Sequence, residues 1–178
     1  MAGASPRRYA QAAFSLALEN EGVDRWEADL QRVLEVMASA DVMALLSAPQ
    51  VPERVKLNGI TTMLPDVAPL IRNLVSMMVL RGDVAKMGRV VEAFSAMADD
   101  SRGTARAEVV TAVPLDDARK KRLADGLATL VGRKQVILTE TVDPAIVGGV
   151  IARVGDRLID GSTRTRLRSL REELAAAR

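Results

Sequence analysis

The chain has 178 residues, 48% hydrophobic but only 2% aromatic, and its 25 Lys and Arg nearly balance 23 Asp and Glu. With no His and no Cys, it has no Ser-His-Asp or Cys-His nucleophile, no zinc site built on imidazole or thiolate, no disulfide and no histidine pH switch. A formal net charge of +2 predicts no strong attraction to nucleic acid or anionic lipid, and a core of Ala, Leu, Val and Met around Tyr9, Phe14, Trp26 and Phe94 suits close-packed helices.

Six helices are predicted up to residue 102. Ser5 and Pro6 read as a cap and first-turn proline, opening a stretch from Arg7 to Asn20 that is apolar nearly all round. Asp24 with Glu27 resembles a capping box, followed by a stripe of Trp26, Leu30, Val33, Leu34 and Met37. Val42, Leu45 and Leu46 give a short helix that Pro49 stops, and Pro52 starts another holding Val55, Ile60, Met63 and Leu64. Pro69 opens the strongly apolar Leu70–Leu80 segment, closed at Gly82. Asp83 is expected to cap a helix with Val84, Met87, Val91, Phe94 and Ala98 in heptad-like spacing. The polar run Asp99–Gly103 is the expected boundary, giving a six-helix bundle over 1–102 and a small α+β domain over 103–178, a mainly α protein.

In the second domain, Thr104 to Val113 alternates as a strand, with Ala105, Ala107, Val109, Thr111 and Val113 on one side. Asp116 to Val131 reads as a helix burying Leu123, Leu127 and Leu130, with Gly132 as its stop. Lys134–Val142 forms a further strand, and Val150–Val154 pairs with Arg157–Ile159 across Gly155-Asp156. Ser162 is placed to cap a final helix whose seam is Leu167, Leu170 and Leu174.

Gly148-Gly149 and Gly155 lack the Gly-Lys-Ser/Thr ending of a phosphate loop and the strand-then-helix spacing of a dinucleotide fold, so they read as glycines that shape a bend and a turn. Magnesium chemistry on carboxylates would need a clustered acidic motif, and none stands out, so no catalytic, cofactor-binding or metal-ligating residue is assigned. Arg164, Arg168 and Arg171 form a basic stripe on the terminal helix. It fits a solvated face or an acidic protein partner. A helical adaptor using its α+β half on nucleic acid is the alternative, but no aromatics are interleaved there to stack bases. The first helix carries Arg7 and Arg8 at its start and Glu19 and Glu21 near its end, against the helix dipole at ~0.3–1 kcal/mol per exposed charge. Its apolar body needs cover on more than one side. It is either the central helix of the bundle or half of a groove that accepts another helix. The methionine-bearing Leu70–Leu80 segment raises the same alternatives. Met1–Arg8 lacks the apolar core of a signal peptide, and no run approaches the ~18–20 apolar residues of a membrane span.

Three stretches carry a family resemblance: Arg8-Tyr9-Ala10-Gln11-Ala12-Ala13-Phe14, then Leu70-Ile71-Arg72-Asn73-Leu74 with Leu80-Arg81-Gly82, and most specifically Gly148-Gly149, Gly155-Asp156, Asp160-Gly161-Ser162 and Arg166-Leu167. In this order they resemble the δ subunit of F-type ATP synthases, whose mitochondrial counterpart is the oligomycin-sensitivity-conferring protein. The resemblance implies a non-catalytic stator subunit, one copy per complex, peripheral on the cytoplasmic face of a bacterial cell membrane and not inserted in it. It implies that the N-terminal domain sits on the catalytic head among its subunits and receives the N-terminal helix of the α subunit. The receiving groove would lie between the first and fifth helices, with Tyr9, Ala13, Phe14 and Ala17 facing Val75, Met78 and Val79. By the same resemblance the C-terminal domain, through Leu167, Leu170, Arg171 and Leu174, would engage the b subunits of the peripheral stalk. On that view Ala13→Asp is expected to weaken head binding while leaving the protein helical.

Overall fold

The computed structural model describes residues 5–20 and 22–167. The chain is mostly helical with one four-stranded sheet, and it divides into two compact units, Met1–Ala98 and Asp99–Arg178. The division falls four residues before the expected break at 102/103. The last turn of the helix belongs with the second unit because Asp99 there holds Arg106 at 2.6 Å.

The helices preceding the first strand are α1 (Pro6–Glu19), α2 (Val23–Met37), α3 (Ala40–Ser47), α4 (Glu53–Met63), α5 (Pro69–Leu80) and α6 (Met87–Arg102), with a single 3-10 turn at Val84–Lys86 before α6. Pro6 and Pro69 stand at first-turn positions, where a missing N–H costs nothing. Gly82, at φ +70, ends α5: its amide donates to the Val79 carbonyl and the Asp83 amide to that of Met78, closing the helix as glycine in the left-handed region allows. The first core gathers Ala10, Ala13 and Ala17 of α1, Trp26, Leu30 and Val33 of α2, and Ile71, Val75 and Met78 of α5 with Val90 and Phe94 of α6. Phe14 meets Phe94 edge-on, ring centroids 5.7 Å apart.

Three expected caps differ. Ser5 is the N-cap of α1 but its hydroxyl makes no capping bond. α2 starts after Gly22, placing Asp24 in its first turn instead of at a capping box. Asp83 precedes the 3-10 turn, but its buried carboxylate is drawn away from the backbone. It accepts from the Tyr9 hydroxyl at 3.0 Å and from Lys86 at 2.6 Å. Those hydrogen bonds, Lys86 first and Tyr9 second, hold Asp83 below the ordinary aspartate value against the opposing effect of burial, with the charges of Lys86 and Arg81 adding. Asp29, also buried, accepts from the Ala68 amide at 2.9 Å and so ties α2 to the start of α5.

The second unit builds its sheet in the order β2-β1-β3-β4, from β1 (Thr104–Thr111), β2 (Gln135–Val142), β3 (Val150–Val154) and β4 (Arg157–Asp160). β1 and β2 run parallel, joined by α7 (Asp117–Val131) as the crossover, while β3 lies antiparallel to β1 and β4 returns as a hairpin. Asp116 caps α7, accepting from the Arg119 amide. Leu127 and Ala128 of α7 join Ala107, Val109, Val136, Ala152 and Val154 in the second core. Leu130 does not. It is 58% exposed, because the inward face of α7 follows Leu123, Leu127 and Val131, an i, i+4 row instead of the i+7 step expected. Val113 lies past the end of β1 and is exposed as well. Alternate residues, including Arg106, Glu108, Ile137, Arg153 and Leu158, emerge exposed on the opposite side of the sheet.

Glu140 fastens this unit. Its carboxylate accepts from the Thr111 hydroxyl at 3.0 Å, the Leu115 amide at 2.8 Å and the Lys120 ammonium at 3.0 Å, joining β1, the following loop, α7 and β2. Its pKa is lowered, chiefly by the Lys120 hydrogen bond and then the Leu115 amide, with burial opposing and Thr111 and the Lys120 charge adding. A depressed folded-state pKa stabilises the folded chain fully above the ordinary glutamate value of 4.5 and loses that contribution as pH falls through the lower folded value. Glu140→Gln is therefore expected to lower the urea midpoint of the second unit at neutral pH. The gap from wild type should close on acidification, as followed by circular dichroism. A gap that ignores pH would mean that the carboxylate charge is not what holds the network.

Candidate functional site

The two helices expected to form a partner groove, α1 and α5, lie against each other. Ala10, Ala13 and Ala17 recur along one face of α1 and, lacking bulk, let its backbone come close. α5 answers with Ile71, Leu74, Val75, Met78 and Val79. Of the seven residues expected to line the groove, Tyr9, Ala13, Ala17, Val75, Met78 and Val79 are all buried at 4% exposure or less, and Phe14 is half-buried against Phe94. These side chains hold the first unit together. Apolar surface beside them comes from other positions: Leu16 and Leu18 on α1, and Leu70, Met77 and Leu80 on α5, all between 38% and 52% exposed. Leu70, Asn73, Met77 and Leu80 share one stripe at i, i+3, i+7 and i+10, opposite the buried face. The strongly apolar, methionine-bearing Leu70–Leu80 segment raised the alternative of a partner groove, but its spacing did not separate this stripe from the buried face.

Part of that stripe borders an open cavity of about 480 Å³ between α4 and α5. Leu57 and Thr61 line it from α4, and Asn73, Ser76, Met77, Leu80 and Arg81 from α5 and its end. Nothing in the sequence pattern marked this side of α5 apart.

In the second unit the glycine-rich stretch serves the start of the terminal helix, which begins at Thr163. The Thr163 amide donates to the Gly148 carbonyl at 2.9 Å and the Gly161 amide to that of Val150 at 2.8 Å, so two backbone segments run in contact. Ser162, 1% exposed, caps the helix as expected by accepting from the Thr165 amide at 3.2 Å. Asp160 braces the cap, accepting from the Ser162 amide at 2.8 Å and the Thr165 hydroxyl at 2.7 Å. Of the residues expected to meet the b subunits, Leu167 is 59% exposed, while Leu170, Arg171 and Leu174 lie outside the described residues, as do Glu21 and Arg168. Val113, Leu130, Ile137, Val147 and Leu158 are further large apolar side chains left in solvent by this unit.

Apolar helix and sheet surface beside carboxylates engaged by neighbouring cations is an arrangement suited to contacts with other proteins. The fold is similar to a chain of the Toxoplasma gondii mitochondrial ATP synthase hexamer determined by cryo-EM, with TM-score 0.70 and 22% identity over 97% of this chain and 98% of that one. Residues 6–174 match the family model described as ATP synthase delta (OSCP) subunit. The relatives include proteins named ATP synthase subunit delta from Anaeromyxobacter sp. (strain Fw109-5), 39% identical over 97% of each chain, and from Dehalococcoides mccartyi (strain CBDB1), 36% identical over 96% of this chain and 94% of that one. The chain belongs to the ATP synthase delta (OSCP) subunit family. It is a non-catalytic component of the peripheral stalk and a peripheral part of a membrane-bound complex. Among the described residues no helix is long and apolar enough to cross a membrane.

Proposed function

We propose that the protein is the stator link between the catalytic head and the b subunits, one copy per complex, on the cytoplasmic side of the cell membrane. In this role residues 1–102 act as a six-helix bundle that seats the N-terminal helix of the α subunit along α1 and α5, and residues 103–178 grip the b subunits through the terminal helix. The work is mechanical: several helix-in-groove contacts, jointly slow to dissociate, keep the head from turning with the rotor. The observation that carries this is the apolar surface left beside the α1–α5 packing layer, above all Leu16, Leu70 and Met77. Tyr9, Ala13, Ala17, Val75, Met78 and Val79 then set the spacing and floor of the seat, and Phe14 its edge, while the exposed leucines and methionine make the contact. On the stalk side, support comes from exposed Leu167 and the braced cap that fixes where the terminal helix starts. The nucleic-acid adaptor alternative gains no observation: Tyr9, Phe14, Trp26 and Phe94 all precede the second unit, leaving its sheet without a stacking ring.

Leu16→Asp tests the seat. It sits on exposed surface, so the thermal midpoint should hold. Affinity for an α-subunit N-terminal peptide should fall about tenfold or more, ~1.4 kcal/mol. Unchanged affinity in titration calorimetry would place the α helix elsewhere. Recovery of α, β and b subunits with the tagged protein from solubilised membranes, at salt that strips weak contacts, tests the wider role.

A further inference from the structure

Val147 is anomalous twice over. It has φ +66 and ψ −37, and among the described residues it is the single non-glycine residue with positive φ. A β-branched side chain is poorly tolerated there, because its substituents crowd the backbone. At 69% exposure it is also the most exposed large apolar side chain among the described residues.

Its neighbours explain the backbone but not the side chain. On one flank Asp143 fixes the 3-10 turn Pro144–Ile146: its amide donates to the Thr111 carbonyl at 2.8 Å and its carboxylate accepts from the Ala145 amide at 2.9 Å. Ile146, 5% exposed, is buried at the end of that turn. On the other flank the Gly148 carbonyl is held by the Thr163 amide at 2.9 Å. The chain must reverse between these anchors, and glycine at 147 would do so without strain. A valine left in solvent adds little to the fold's own packing. A strained apolar side chain that the fold does not use points to a use outside the fold.

Its position names the partner. Thr163 opens the terminal helix and lies against this loop, since a Cβ built on Gly148 would stand 3.1 Å from the Thr163 hydroxyl. Leu167, 59% exposed, is four residues further on and so on the same face of that helix. The loop that carries Val147 therefore borders the helix face that carries Leu167.

We propose that Val147 is a contact residue of the stalk interface, seated with Leu167 on an apolar surface of the b subunits. This rests on the stalk reading given above and extends that contact from the terminal helix to the glycine loop. The pinned backbone holds the side chain out in solvent before the partner arrives, so little freedom is lost on binding. The unit gives up some of its own stability to keep it there.

Three variants of the full chain test this, each measured twice. Affinity for detergent-solubilised b subunits is read by biolayer interferometry, and thermal unfolding of the second unit by circular dichroism. Val147→Gly should weaken binding about tenfold. Its thermal midpoint should hold or rise, because the strain leaves with the side chain. Val147→Ile keeps a β-branched apolar group at the same position and should bind as wild type does. Leu167→Asp is the reference for the terminal helix. Affinity lost in Leu167→Asp but kept in Val147→Gly would overturn the Val147 contact and leave the stalk reading standing. Affinity kept in both would remove the stalk reading and the contact with it. A lower midpoint in Val147→Gly would show that the valine serves the fold, which overturns the inference as well.

Discussion

Ala13→Asp is expected to unfold the first unit. Ala13 is 2% exposed and its neighbours on the same face of α1, Ala10 and Ala17, are fully buried. An aspartate there would enter a cluster of buried apolar side chains. The carboxyl must either displace the helix or stay protonated at neutral pH, and raising its pKa by about three units costs on the order of 4 kcal/mol. That is a large share of a typical domain stability of about 5–15 kcal/mol. Trp26, the single tryptophan and 5% exposed, lies in the same core and reports the loss directly. Its fluorescence should shift to that of an exposed indole at far lower urea than in wild type. This differs from what the sequence led us to expect of the substitution, namely a helical protein with weakened head binding. A stable variant with native Trp26 emission would mean that α1 is not packed as described. Set beside Leu16→Asp, the pair would separate a side chain that builds the proposed seat from one that would touch the guest.

Gly149→Ala should damage the second unit as severely. Gly149 has φ +80, and a Cβ there would overlap the carbonyl oxygen of Gly161 and press on Cα of Ser162 at 3.0 Å. Both obstacles are backbone, and they belong to the segment that the Asp160 and Ser162 hydrogen bonds hold in place. The strained conformation alone costs about 1–3 kcal/mol in a residue with a side chain, and displacement of the 161–163 backbone adds to it. A loss of about 3 kcal/mol or more is expected. Circular dichroism should gain an early unfolding phase while the Trp26 transition, which belongs to the first unit, stays where it is. Capture of b subunits should fall with it, if the terminal helix is the stalk contact. Equal movement of both optical signals would show that the damage is not local to the glycine pair.

Among the residues that carried the resemblance, Gly149 has the strictest backbone demand. Gly148-Gly149 and Asp160-Gly161-Ser162 are far apart in sequence terms for a turn, yet they form one contact, which is why neither stretch alone reads as a motif with a mechanism. The turn and stop signals were legible for a simpler reason. Pro6, Pro69 and Gly82 each act on their own φ and on hydrogen bonds within five residues, so the ends of α1 and α5 followed from local chemistry. The cap at Asp24 misled because α2 already starts at Val23, and that at Asp83 because a carboxylate beside a helix start has competing uses. Tyr9, 74 residues away from Asp83, supplied the better one.

By itself the sequence settled what chemistry is absent, where most helices and strands lie, and to which family of stalk subunits the chain is similar. Those properties live in residue identity and in periods of two to five residues, where proline, glycine and apolar spacing act directly on the local backbone. Tertiary structure alone decided which apolar side chains are spent on the protein's own core and which are left in solvent. It buried Tyr9, Ala13 and Met78, exposed Leu16, Met77 and Leu130, set the sheet order, and brought Thr111, Leu115 and Lys120 onto Glu140. Burial is a property of contacts between distant segments. On a helix that is apolar all round, no local pattern distinguishes the inward face from the one left in solvent.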